Sequence, residues 1–334
     1  MTTDRNTRRR NRIGPAARLL GIRAVIAIPV AAAVSVGMFF VAALSPFDPL
    51  AAYLGGNYQF ATQSQREAMR AAYDLDQPWW QAWWHWLSAA LSGDLGWSST
   101  QSQPVSTVLA ERMPFTLALS GTALVLGAVI ALTLGAVAGM RGGLIDRLCN
   151  AFAVTFAAVP PFVVSLTLVT MFAVGLRWLP TSGARPPGAD YTVAGLLTYG
   201  LLPLTALVLS QIPWLLLATR AEVLTARDSD AVRSARARGI DGWALLRGHI
   251  APVSVLPTLA LLGTRLPELI AGAAIVETVF GWPGVAAVLV DSAAALDFAL
   301  MAALTVGAAL AVLLGSALSD AAAVALDPRI GMRA

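Results

Sequence analysis

Five stretches of this chain run for twenty residues or more without a charged side chain: 24–43, 115–138, 151–176, 192–219 and 298–319. A helix of about 20 apolar residues matches the ~30 Å hydrocarbon core of a bilayer. A sixth stretch, 250–276, is apolar except for Arg265 and Glu268. No water is available at membrane depth to satisfy backbone N–H and C=O groups, so such segments have to be helical. Only 13% of the residues are charged, about half the level of a soluble domain. The reading is an all-α polytopic membrane protein with six transmembrane helices. The first is 24–43, and the others lie at about 115–138, 151–176, 197–219, 250–276 and 298–322.

Arginine placement orients these spans. Cytoplasmic segments near membrane spans carry the excess of positive charge. The tail 1–23 holds seven arginines, the 139–150 loop two, the 220–249 loop six and the C-terminal tail 327–334 two, against five in the segments between. Both termini and the 220–249 loop are therefore expected in the cytoplasm. A basic start before an apolar run also describes a signal peptide, but 24–43 is long for one, and an uncleaved first span is favoured. The long segment 44–114 then lies outside, between the first and second spans. It contains the run from Trp79 to Leu87, in which Trp79, Trp83 and Trp86 share one helical face. Tryptophan prefers the headgroup level, so a helix lying on the outer leaflet is expected there.

Several chemistries are excluded. All 23 basic residues are arginine, and without lysine no P-loop can hold nucleotide phosphates. The one cysteine, Cys149, allows no intrachain disulfide, and His85 and His249 are too isolated for a metal cluster. No hydrolase motif is present, so neither a cofactor nor a metal is expected on this chain, and nothing points to nucleic acid.

The most ordered polar stretch is 220–257. Asp228, Ser229 and Asp230 offer cap and first-turn chemistry. Arg233, Arg236 and Arg238 fall toward the other end, and Gly239 stands where the helix would stop. Asp241 is expected to cap a second short run, 242–247. Ala231 and Ala235 are one turn apart and would let another surface approach closely. Prolines at 160, 161, 203, 213, 257 and 267 interrupt spans, as helices lining a path do. Arg265 and Glu268 are three residues apart and can pair, either structurally or facing the path.

Residues 230–240 resemble the EAA loop of ABC-importer permeases, in the form found in the dipeptide and oligopeptide family. That form runs Asp-Tyr-Val-Arg-Thr-Ala-Arg-Ala-Lys-Gly-Leu, and here Asp230, Val232, Arg233, Ala235, Arg236, Ala237 and Gly239 match it. Arg238 replaces the lysine. Other motifs follow in order. They are Leu75-Asp76-Gln77-Pro78, Gly93-Asp94-Leu95-Gly96 with Ser98, Arg112-Met113-Pro114-Phe115, Pro160-Pro161-Phe162, Ile275 to Phe280, and Trp282-Pro283-Gly284. Asp297 stands at the family's Arg-Asp-Tyr-Pro, with the Arg and Pro lost, and Asp327-Pro328-Arg329 closes the chain.

The resemblance implies a multi-pass permease of a bacterial plasma membrane that is not itself an enzyme. It would form half of a translocation path with a second, homologous permease. Two ABC ATPase subunits or domains would hydrolyse the ATP, and an external solute-binding protein would deliver cargo. Asp230, Arg233, Ala235, Arg236, Arg238 and Gly239 would couple to the ATPase. Pro160, Phe162, Arg265, Glu268 and Glu277 are the candidates for the path, or for shaping the bundle around it. Di- or oligopeptides lead as cargo, with nickel, heme or sugars as alternatives. A secondary transporter is a far weaker reading.

Overall fold

The computed structural model describes residues 3–45, 48, 50, 54, 58–72, 76–264 and 266–326. In chain order its helices are α1 (Thr3–Ala43), α2 (Gln63–Ala72), α3 (Trp79–Leu91), α4 (Val105–Arg141), α5 (Gly143–Ala158), α6 (Pro161–Leu168), α7 (Val193–Arg227), α8 (Asp230–Ala237), α9 (Gly242–Leu245), α10 (Ala251–Thr264), α11 (Leu266–Phe280), α12 (Val285–Ala295) and α13 (Phe298–Leu326). Wide π-type turns continue α6 through Val169–Gly175 and join α9 to α10 through Leu246–Ile250. A two-residue antiparallel pair, β1 (Trp97–Ser98) with β2 (Gln103–Pro104), precedes α4.

Among the described residues four helices are long and apolar enough to cross a membrane, and two broken pairs raise the number to at most six. The expected span at 151–176 is one of the broken pairs. α5 and the α6 segment meet at 101° across Val159 and Pro160. Pro160 and Pro161 explain the break, because neither donates an N–H and residues before proline avoid the α region. The other spans exceed their uncharged runs: α4 begins ten residues before Phe115 and α7 ends eight residues after Thr219. α12 was not expected at all, since 11 residues are too few for a span-length apolar run.

The chain divides into two compact units. In the unit holding 25–116 and 283–312, the tryptophan face has partners within the chain. Trp79, Trp83 and Trp86 share a face, and it turns toward α1. The Trp83 indole donates to Ser35 Oγ at 3.0 Å, Trp79 meets Phe40 edge-on and Trp86 lies against Phe39. Trp80 and Trp84 are the exposed ones. Tryptophan has both a large apolar body and an N–H that seeks a partner, and Ser35 supplies the partner.

The same unit joins two motifs that lie 199 residues apart. Buried Asp297 accepts from Ser98 Oγ (2.6 Å), Thr100 N (3.0 Å) and Thr100 Oγ1 (2.8 Å), while its other oxygen accepts from Leu300 N at the start of α13. Gly96 permits the approach, for a Cβ there would stand 3.1 Å from Ala299 Cβ. Below this latch Val105, Val108, Val288, Leu300 and Leu304 form a closed apolar core.

In the unit holding 117–282, α7 is the central helix, with fourteen buried residues from Gly200 to Ala226. α4 lies against it through glycines. A Cβ at Gly135 would stand 2.7 Å from Thr219 Cβ, and one at Gly139 would stand 2.7 Å from Val223 Cγ1. Small residues spaced four apart let helix backbones approach closely inside a membrane. Trp282 packs on Gly200 in the same manner.

Candidate functional site

The site grows out of the end of α7. Asp228 ends that helix, and Ser229 opens α8 with extended backbone. Ser229 Oγ accepts from Val232 N and donates to Ala226 O at 2.6 Å, so one hydroxyl closes one helix and starts the next. α8 ends as its glycine required. Gly239 has φ +77°, its N–H reaches Arg236 O, and Ile240 N–H reaches Ala235 O at 3.1 Å. This is a Schellman turn, and residues with a Cβ pay a steric cost at that φ.

α8 has a sharp inner and outer face. Val232 and Ala235 are fully buried in a core with Val223, Ala226, Leu245 and Ile250, and Ala136, Met140, Ile240 and Leu246 pack around it. The expectation that Ala235 belongs to a docking face open to a partner is therefore corrected. Its small side chain brings α8 close to the chain's own scaffold, while Ala231 and Ala237 are exposed. Asp230, Arg233, Arg236 and Arg238 all project outward, with Asp230 and Arg233 paired across one turn. Asp241 also differs from expectation. It occupies the N-cap position of α9 but makes no side-chain cap bond, and α9 runs on through the π turn into α10 instead of forming a separate short helix. Trp243, just past the elbow, is 73% exposed.

Three residues not expected to matter brace this region. Arg220 grips Asp146 with both ends of its fork, Nε to Oδ1 and Nη2 to Oδ2 at 2.8 Å. Two turns further along α7, Arg227 donates to Gly139 O (3.2 Å) and Met140 O (3.4 Å). These are terminal carbonyls of α4 that have no helical partner. The seven-residue spacing of the two arginines was visible in the sequence, as was the Gly135-x-x-x-Gly139 pattern. Asp146 carried no local signal.

The path candidates are dispersed. Pro160 sits at the α5–α6 break and Phe162, two residues on, is 47% exposed. Glu277 is fully buried within the chain's own packing. Arg265 and the side chain of Glu268 lie outside the described residues, as do Leu75 and the tail 327–334.

Residues 131–332 match the family described as the binding-protein-dependent transport system inner membrane component. The chain belongs to that family. The permease is 28% identical over 315 residues to the oligopeptide transport system permease protein AppB of Bacillus subtilis (strain 168), covering 92% of this chain and 97% of that one. It is 31% identical over 315 residues to the glutathione transport system permease protein GsiC of Escherichia coli (strain K12), covering 94% and 97%. It is a membrane-spanning subunit of an ABC importer, passing several times through the plasma membrane. The α7–α10 region lies wholly inside the matched residues.

Proposed function

We propose that this permease imports di- or oligopeptides and that α8, with the Gly239 elbow, is its coupling element to separate ATPase subunits. The observation that carries the coupling role is the split character of α8. Val232 and Ala235 anchor it in the core, and Arg233, Arg236 and Arg238 stand outside it. A helix anchored on one side and charged on the other transmits force to an acidic partner surface without bending locally. The 220–249 loop is cytoplasmic in this reading, as are both termini, because that side holds most of the arginines. The chain has no lysine for a nucleotide site. ATP is therefore bound by the partners, and a second homologous permease completes the path beside Pro160 and Phe162. The peptide cargo rests on the relatives, among them an oligopeptide and a glutathione permease.

The test uses the full chain, affinity-tagged in its native host and purified from membranes. Wild type is expected to bring down ATPase subunits and a second permease. Reversing Arg233, Arg236 and Arg238 to Glu together is expected to release the ATPase and keep the second permease. Gly239→Val is expected to retain the ATPase but abolish uptake of a radiolabelled tripeptide, because the elbow changes direction. Full ATPase recovery with the triple reversal overturns the coupling role, and tripeptide uptake that is the same with and without this permease overturns the cargo.

A further inference from the structure

Two glycines form the joint between α4 and α5. Gly142 and Gly143 both have positive φ (+65° and +62°), and a Cβ on either would meet nothing within 4 Å. The space beside both residues is open, and glycine gives the joint the widest backbone freedom of any residue. Left alone, such a turn is a hinge. Movement of α8, passed into α7 and the end of α4 through their shared core, would be lost there before it reached α5.

The two arginines of α7 span this joint. Arg227 holds the α4 side at the carbonyls of Gly139 and Met140, and Arg220 holds the α5 side at Asp146. Both reach from one face of one helix, since residues seven apart align over two turns. A guanidinium fork on a carboxylate fixes orientation as well as distance. The side chains are only 26% and 21% exposed, so water competes weakly for the contact. α5 itself packs along α7 and ends at the 101° break into α6. Whatever moves α5 therefore moves the element that carries Pro160 and Phe162.

We infer that the Asp146–Arg220 fork, with Arg227, locks the glycine joint so that α8 and α5 move as one body and carry ATPase-driven motion to the α5–α6 break. This rests on the reading of α8 as the coupling element. Asp146, Arg220 and Arg227 are positioning residues in this scheme and touch neither cargo nor nucleotide.

The chain carries its own reporter. Cys149, its single cysteine, is part-exposed on α5, and Ser234→Cys adds a second label on the exposed face of α8. The distance between spin labels at these two sites is measured in the assembled transporter, nucleotide-free and after trapping with ATP and vanadate. With the fork intact the distance distribution is expected to be the same in both states. In Arg220→Met and in Asp146→Asn it is expected to shift or broaden on trapping, and the exchange Asp146→Arg with Arg220→Asp is expected to restore invariance. A distance already state-dependent in the parent, or state-independent in both single variants, overturns the inference. If the single variants fail to accumulate, the exchange variant decides alone, with a state-dependent distance counting against the inference. The triple Glu reversal on α8 separates the two claims. If it retains the ATPase, the coupling reading fails. If it loses the ATPase while the fork variants stay invariant, only the joint lock fails.

Discussion

Gly139→Ala should destabilise the permease, and Val223→Gly should cancel that cost in a double-mutant cycle while carrying a larger cost of its own, since Val223 is buried in the core under α8. The new methyl would stand 2.7 Å from Val223 Cγ1 and 2.9 Å from Val223 Cβ, with Arg220 O at 3.3 Å. Non-bonded carbons settle at about 3.5–4.0 Å, so α4 and α7 would have to part by most of an ångström. Overpacking of that kind costs about 1–3 kcal/mol. Against it stands the helix preference of alanine over glycine, about 1 kcal/mol. The net expectation is a loss of about 0–2 kcal/mol. Both severe contacts belong to the Val223 side chain, so removing it leaves only the tight but tolerable approach to Arg220 O. A double-mutant cycle should then return a favourable coupling of about 1 kcal/mol or more. Gly135→Ala should behave differently. One of its close neighbours is the backbone oxygen of Leu216, at 2.9 Å, and no side-chain change removes that. Thermal unfolding of the purified permease in detergent gives all the values. If Gly139→Ala raised stability by the amount expected for an unencumbered helix glycine, or if the two changes were additive, the close α4–α7 contact would be refuted.

Asp297→Ala should cost about 3 kcal/mol, as hydrogen bonds to a buried charge contribute about 1.5–3 kcal/mol and the Thr100 N–H would lose its partner. The check is faster proteolytic cleavage between 93 and 104 at unchanged expression, and unaltered cleavage would contradict it. Asp48 gives a pH-dependent prediction. Burial alone would raise its carboxyl, but hydrogen bonds from Arg70, Tyr58 and Leu50 N outweigh this and hold it below the ordinary aspartate range. A depressed carboxylate contributes fully above its unfolded value and loses that contribution as pH falls through the folded one. Wild type should therefore exceed Asp48→Asn in melting temperature at neutral pH, with the gap closing only below the ordinary aspartate range. Arg70 is 40% exposed, so the gap corresponds to no more than about 1 kcal/mol.

The helical class, the apolar spans and the bounds of α8 were legible because each depends on neighbours in sequence. Uncharged runs of span length dictate helices, and Ser229 and Gly239 mark the ends of α8 by local backbone chemistry. The breaks were half legible. Pro160-Pro161 announced a disruption, but the 101° angle depends on what α5 and α6 pack against. The α3 tryptophans share the face that periodicity gives them, but only the tertiary structure brings α1 against it, since periodicity says which residues share a face and nothing of what covers it.

Ala235 makes the same distinction at the site. The sequence by itself determined that α8 exists, where it stops, and that one face is small and another cationic. Only the tertiary structure decided that Ala235, with Val232, is the anchor while Ala231 faces outward, because burial at Ala235 requires Val223, Leu245 and Ile250 to arrive from other segments. The Arg220–Asp146 fork belongs wholly to that second kind. Its partners are 74 residues apart, and no local rule connects them until α7 and α5 lie side by side.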